Sequence, residues 1–550
     1  MLSTRTHRQA SARSRRSRAA RARKRKRAAE LERKIAEARA IEETALELLG
    51  AEIAAYVGGL RPSGRGWKGV AGGEAVVVQD ADKFRATTVQ VCGFYPFIVG
   101  AGTPVVGVPM GRHLLTGATV CADPISWFQR AKLIRNPYMF VLALNGTGKS
   151  SYVRHTVTGL SAYGTIPIAT ADLKPDYVDL VRELGGQVIS LGPGRGHLNV
   201  LDPGEAHDAA ALLREHGREK EAREVLADAH DRRKTMLSSL ITIQRKTEPV
   251  EREEMILDAA LRYLDAHHDG IPVLADLLQV VRDAPADLRE AALDGGHLDR
   301  YRQLTEDLEV SLSGLISGGR LGGIFAEQTS EPMMRDRAVV YDVSSIGEDN
   351  MDLQAAVLMA CWSQSFGMIN IAHVLADAGI EPRRHYFAIV DELWRALRVG
   401  RGMVDRMDAL TRLNRTLGTG MAYITHTLKD ADAIPSEEDR MKARGFIERA
   451  GYVVLGGLPG SEMPELNKVI PLSNAEQELL KSWQMPDEWD PYSGQASEAP
   501  GIGKFLIKIA GKPGIPLKVG LTPIEIDPSN TSSRWDLLSR SGRRKERTAA

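Results

Sequence analysis

The stretch YMFVLALNGTGKSS, residues 138–151, decides the fold. An apolar run of strand length feeds a glycine turn, followed by Lys149-Ser150 and a helix-compatible segment from Ser151 to Thr156. This is the order of a phosphate-binding loop. Glycines at 146 and 148 let the backbone curl so that several N–H groups point at one phosphate. The expected phosphate contacts are Asn145, Gly146, Thr147, Gly148, Lys149, Ser150 and Ser151. Lys149 can reach the β- and γ-phosphates, and the Ser150 hydroxyl can sit on Mg²⁺ at the positive end of the following helix. Ala143 stands where the usual pattern has its first glycine. That position ends the strand and alanine is the next smallest side chain, so the loop is expected to survive.

Beyond the loop, strand-like and helix-like text alternate, the signature of a mostly parallel sheet. Strands are expected at Thr165–Asp172, Gln187–Leu191, Ala338–Asp342, His385–Val390, Gly420–Thr425, Tyr452–Leu455, Phe505–Ile509 and Leu517–Leu521. Helices are expected at Trp127–Asn136, Tyr177–Leu184 and Met351–Ala378. From Gly204 to Gly314 the chain is rich in Ala, Leu, Glu, Arg and Asp with helical periodicity, and reads as an inserted helical subdomain. Upstream, β-rich text is expected at Glu74–Val78 and Arg85–Phe94.

Hydrolysis of a bound nucleotide needs more than a loop. It needs a carboxylate for the metal's water shell and a group that orients or deprotonates the attacking water. HYFAIVDE, residues 385–392, is a buried-strand pattern ending in two acids. A parallel strand places such residues on the ligand side of its sheet. Asp391 is the candidate for Mg²⁺ and Glu392 for the water. The strand ending in Thr425-His426 offers a γ-phosphate sensor; His426 fits, as does Thr425. The Arg-rich segment 406–418 offers an arginine for a neighbouring subunit's γ-phosphate: Arg415, then Arg412.

The chain has 550 residues and a net charge of +1, which conceals an asymmetry. Residues 1–34 carry fourteen Arg or Lys against Glu30 and Glu32, leaving the remainder net acidic. Residues 1–27 lack large apolar side chains beyond the first two, and should be a disordered basic tail that favours DNA or anionic lipid. No run of 18 apolar residues exists and no apolar segment follows the basic start, so neither a membrane span nor a signal peptide is expected. Cys92, Cys121 and Cys361 have no metal-type spacing and read as buried thiols.

The motifs together resemble the large ATPase of conjugative type IV secretion systems, the TraC-like branch of the HerA/FtsK-type motors, over roughly residues 85–525. Beside the loop, the likeness rests on Phe94-Tyr-Pro-Phe97, Gly107–Gly111, Asp123–Trp127, the Asp172–Tyr177 run, Leu198–Pro203, Gly322–Phe325, Gly503–Lys508 and Leu521–Glu525. Asp176 stands for the family's Glu, Val200 for a proline and His426 for Gln. The resemblance implies an α/β, RecA-like P-loop NTPase with a mostly parallel central sheet, an inserted all-helical subdomain and a small β-containing N-terminal region.

The corresponding division is a basic tail (1–27), an amphipathic helix (28–57) and a small N-terminal region (58–130). The core follows as residues 131–204 and 315–528, interrupted by the helical insertion (205–314), with a polar tail at 529–550. The resemblance also implies a cytoplasmic ATPase, peripheral to the inner face of the membrane. It would use ATP and Mg²⁺, assemble as a homo-oligomer, expected to be a hexamer, and meet inner-membrane components of a conjugation complex. Two rivals stand beside it: a DNA-translocating motor or coupling protein, and a nucleotide-gated scaffold that scarcely hydrolyses.

Overall fold

The computed structural model describes residues 104–317, 321–347, 349–397, 404, 418–428, 434, 436–484, 489–490, 495–496 and 500–526. The basic tail, the amphipathic helix, the strands expected at 74–78 and 85–94, Cys92, and Arg412 and Arg415 lie outside these residues.

The described residues begin with a hairpin, β1 (Pro109–His113) and β2 (Thr119–Cys121), followed by helix α1 (Pro124–Gln129). Then come β3 (Tyr138–Leu142), α2 (Lys149–Ala162), β4 (Thr165–Asp172), α3 (Val178–Glu183) and β5 (Gln187–Ser190). The next stretch is helical throughout its described residues: α4 (Ala206–Glu215), α5 (Glu219–Arg245), α6 (Glu251–His267), α7 (Leu274–Asp283), α8 (Ala286–Ala292) and α9 (Leu298–Ile316). A short 3₁₀ turn at Gly322–Phe325 returns the chain to β6 (Val339–Asp342), α10 (Met351–Asp377), β7 (His385–Val390), α11 (Leu393–Leu397) and β8 (Thr419–Thr425). The remainder is α12 (Glu437–Glu448), β9 (Tyr452–Leu455), α13 (Met463–Val469), α14 (Asn474–Ser482), a ribbon of β10 (Trp489–Asp490) and β11 (Gln495–Ala496), β12 (Lys504–Lys508), β13 (Ile515–Val519) and α15 (Pro523–Ile526).

Eleven strands form one sheet in the order β2-β1-β13-β12-β9-β3-β8-β7-β4-β6-β5. From β9 to β5 every pairing is parallel, and the β12, β13, β1 and β2 end is antiparallel. The alternation of side chains along each strand separates two cores. Phe140, Leu142, Ala388, Val390 and Tyr423 face the side of α10 and the helical insertion. Met139, Val141, Phe387, Ile389 and Ile424 face the side of α2. The expected mostly parallel α/β sheet with a helical insertion is the fold observed.

One expected element is displaced. The helix read as Trp127–Asn136 runs instead from Pro124 to Gln129. Asp123 caps it, its Oδ1 accepting from Ser126 N at 2.6 Å, and Pro124 supplies a preset first turn. The strands near the C-terminal end begin one or two residues earlier than read, at Lys504 and Ile515. Helix α10 is long and apolar enough to cross a membrane by composition, yet 89% of its apolar window is buried against the protein's own core. Cys121 and Cys361 are buried free thiols, as read.

Candidate active site

Strands β3, β8 and β7 are parallel neighbours, so their carboxyl ends open on one edge of the sheet. β3 leads into the loop, β7 into Asp391-Glu392, and β8 ends at Thr425 before His426. β4, beside β7, ends at Asp172 and delivers Lys174 and Asp176 to the same edge. Edge position explains the chemistry here, because each strand can be apolar throughout and still finish in a polar group.

The loop is held by hydrogen bonds to its backbone carbonyls. Thr147 Oγ1 donates to the Leu144 carbonyl at 2.7 Å, and Gly503 N donates to the Thr147 carbonyl at 3.0 Å. Gly148 caps α2 with φ 94°, a left-handed value that glycine adopts without steric cost. Among the described residues no side chain caps this helix, so its first N–H groups are left able to bind an anion. Ala143 fits in place of a glycine because its neighbour is Gly456: a Cβ built at 456 would lie 2.5 Å from the Ala143 methyl. Asn145 and Gly146 are exposed, Thr147 and Lys149 are buried, and Ser150 and Ser151 are half-buried.

Lys149 Nζ donates to the Leu144 carbonyl at 3.1 Å and lies 2.7 Å from His426 Nδ1. Burial lowers its pKa to about 8, partly countered by the charges of Asp391 and Glu392. His426 Nε2 in turn lies 3.0 Å from Glu392 Oε1. An ammonium has only donors, so the network assigns the acceptor role to Nδ1 and the proton to Nε2, which donates to Glu392. Glu392 is further faced by Lys174 Nζ at 3.6 Å and Arg395 Nε at 3.5 Å. Burial works against its charge, but His426, Arg395 and Lys174 outweigh it and hold the carboxyl at about 2. Its backbone sits at φ 52°, an unfavourable region for a residue with a side chain.

Asp391 is pushed the other way, to about 7, by burial and then by the adjacent Glu392 charge. Its Oδ1 accepts from Glu392 N at 2.8 Å. Ser150 Oγ donates to Asp176 Oδ2 at 2.7 Å, while Arg154 donates to the Asp176 carbonyl. Asp172 accepts from the N–H groups of Asp176 and Tyr177 at 3.2 and 2.7 Å, and burial raises its pKa to about 8.

Lys149, Ser150, Asp391, Glu392 and His426 are thus brought to one edge, with Asp176, Lys174 and Arg395 added. In the sequence Asp176 carries no role of its own; its contact with Ser150 could be sought from its place just beyond the carboxyl end of β4, in the same parallel sheet as the loop strand. The Leu198–Pro203 signature lies elsewhere. Asn199 Nδ2 donates to the Pro272 carbonyl at 2.8 Å, which ties the segment after β5 to the insertion, and Thr329 Oγ1 donates to Asp202 Oδ2 at 2.9 Å.

The oxygen-only set of Ser150, Asp176 and Asp391 suits a hard cation such as Mg²⁺. Among the described residues there is no ready-made group of three or more His, Cys, Asp or Glu ligands.

The chain matches no protein-family model and no curated protein. Among solved structures, the VirB4 of Thermoanaerobacter pseudethanolicus superposes with a TM-score of 0.53 at 18% identity, over 78% of this chain and 99% of that one. The fold resembles that of VirB4. The bacterial conjugative coupling protein TrwBΔN70 gives a TM-score of 0.43 at 12% identity, over 75% of this chain and 89% of its own. The cytoplasmic domain of the type VII secretion ATPase EccC of Thermomonospora curvata gives 0.27 at 13% identity, over 75% of this chain and 28% of its own.

Proposed function

We propose that this chain is an ATPase that binds MgATP at subunit interfaces and powers assembly of, or substrate transfer through, a conjugative type IV secretion apparatus. The observation that carries the reading is the unbroken line from the loop's Lys149 through His426 to Glu392. The sequence resemblance and the VirB4-like fold support the placement in conjugation.

The uncapped start of α2 and the loop N–H groups receive the phosphates, and Lys149 neutralises charge that grows on the γ-phosphate. Ser150 and Asp391 would hold Mg²⁺, with Asp176 orienting the Ser150 hydroxyl. Bound there, the ion would screen the phosphate oxygens and stabilise the departing diphosphate. Glu392, ionised at neutral pH, orients the attacking water and takes its proton as the γ-phosphorus exchanges its bridging oxygen for the water oxygen. Arg415, or Arg412, completes the site from the next subunit. The chain works as a homo-oligomer, a hexamer in this reading, at the cytoplasmic face of the membrane beside inner-membrane partners.

The test is ATP turnover across protein concentration with size analysis at each point. Turnover per chain is expected to rise with assembly. Assembly with ATP but without turnover would replace this reading with that of a nucleotide-gated scaffold. The basic tail favours a second reading, a motor that grips DNA. Salt-sensitive duplex binding and DNA-stimulated turnover, both lost on deleting residues 1–27, would establish it.

A further inference from the structure

His426 touches two groups of opposite charge with its two ring nitrogens: Lys149 at 2.7 Å and Glu392 at 3.0 Å. Two donors of Lys149 are therefore already directed, one at His426 and one at the Leu144 carbonyl at 3.1 Å. The ammonium is folded back over its own loop. A phosphate entering the loop competes for those same donors.

Glu392 has the complementary situation. Its left-handed backbone persists only where surrounding contacts over-determine it. Its N–H donates to Asp391 Oδ1 and its carbonyl accepts from Arg395 N, while its carboxylate is faced by three groups: His426 on the β8 side, Lys174 after β4 and Arg395 on α11. Of the three, His426 alone also holds the loop lysine.

We propose that His426 is a positioning residue with two opposed effects. It restrains Lys149 while the site is empty, which weakens nucleotide binding, and it holds Glu392 in its working position, which promotes turnover. When phosphate draws Lys149 away, His426 keeps its grip on Glu392 through Nε2–H. Occupancy of the loop is thereby communicated to the carboxylate that handles water. This inference rests on the ATPase reading for its turnover arm only.

The geometry also dictates which substitutions are tolerated. A glutamine amide can accept from Lys149 with its oxygen and donate to Glu392 with its nitrogen. Asparagine is one methylene shorter, and alanine offers neither contact.

The experiment measures, on the full chain, the Kd for a non-hydrolysable ATP analogue with Mg²⁺ and, separately, kcat for ATP. The proteins are wild type, His426→Ala, His426→Asn and His426→Gln. Ala and Asn are expected to bind the analogue about tenfold more tightly, since the restraining hydrogen bond to a charged group is gone. Their kcat should fall at least tenfold, with Gln within about twofold of wild type in both quantities. A structural or simple phosphate-binding role would weaken binding and turnover together, and that result, or no change in Kd, overturns the proposal. A wild type that binds the analogue yet hydrolyses nothing sinks the ATPase reading, while the affinity comparison still judges the restraint on Lys149. Thermal unfolding of each variant identifies any that fails to fold, and Asn then stands in for Ala.

Discussion

At the seam between α5 and α6, charge meets charge. Arg245 donates to both oxygens of the buried Glu253 at 2.9 and 2.7 Å, and Arg233 grips Asp265 at 2.8 and 2.7 Å. At the carboxyl ends of β3, β7 and β8, the arrangement is different. Lys149 rests on a carbonyl and an imidazole, and Asp391 accepts from one backbone N–H. The seam's charges are consumed by one another, so their energy goes into holding two helices together. The site's charges are brought close and left partly unanswered, which costs free energy and, in the proposed function, is relieved by an anion with its cation.

The largest effect that would break this contrast lies in stability. Arg245→Ala leaves Glu253 buried without its partner and is expected to cost about 3 kcal/mol in denaturant unfolding. Lys149→Met should leave stability unchanged or raise it, because it removes a buried charge that no carboxylate among the described residues pairs directly. A comparable loss for both variants would erase the distinction between seam and site.

Next is the packing beneath the loop. Gly456→Ala is expected to cost about 2 kcal/mol by overpacking the Ala143 methyl, and Ala143→Gly in the same chain should recover most of it. Additive losses would mean that the two positions do not share the space.

Asp176→Asn sharpens the view of the site itself. The ratio of nucleotide affinity with Mg²⁺ to that in EDTA should fall about tenfold, with the EDTA value unchanged. An equal loss in both media would make Asp176 a prop for the loop and nothing more.

The smallest effect is in pH. Burial opposes the charge of Asp265, but His230 and Arg233 together hold it well below the ordinary carboxylate range. That contribution is present above about 4 and lost as pH falls through the depressed value. His230 is raised by Asp265 first, against the cost of burial, with Asp258 adding to it. Its contribution is present below about 6.5 and lost as pH rises through the raised value. The Tm difference between wild type and Asp265→Asn should therefore be greatest between about pH 4 and 6.5, and a few degrees smaller on either side. A difference that is flat with pH would remove these groups from the seam.

Much of this was legible in the sequence for physical reasons. Strands β3, β4, β7 and β9 are apolar runs bounded by polar groups or glycine, and their strand-to-loop junctions place the polar ends where a parallel sheet opens. The loop carries its own backbone instructions at Gly146 and Gly148. What the sequence hid depends on contacts between distant segments. The Ser150–Asp176 bond joins residues 26 apart, and the Lys149–His426 contact joins residues 277 apart. The exchange of bulk between Ala143 and Gly456 is invisible until β3 and β9 lie side by side. The early start of α1 was local and readable: Asp123-Pro124 is a cap followed by a preset turn.

The most direct measurement compares ATP binding and turnover in wild type, Lys149→Ala and Glu392→Gln. If the loop lysine and the strand-end glutamate serve one phosphate-transfer centre, Glu392→Gln should bind ATP about as well as wild type. Its turnover should fall at least 100-fold, and Lys149→Ala should lose binding itself. Glu392→Gln turning ATP over at the wild-type rate would contradict it, and Asp391-Glu392 would then be an ordinary strand end.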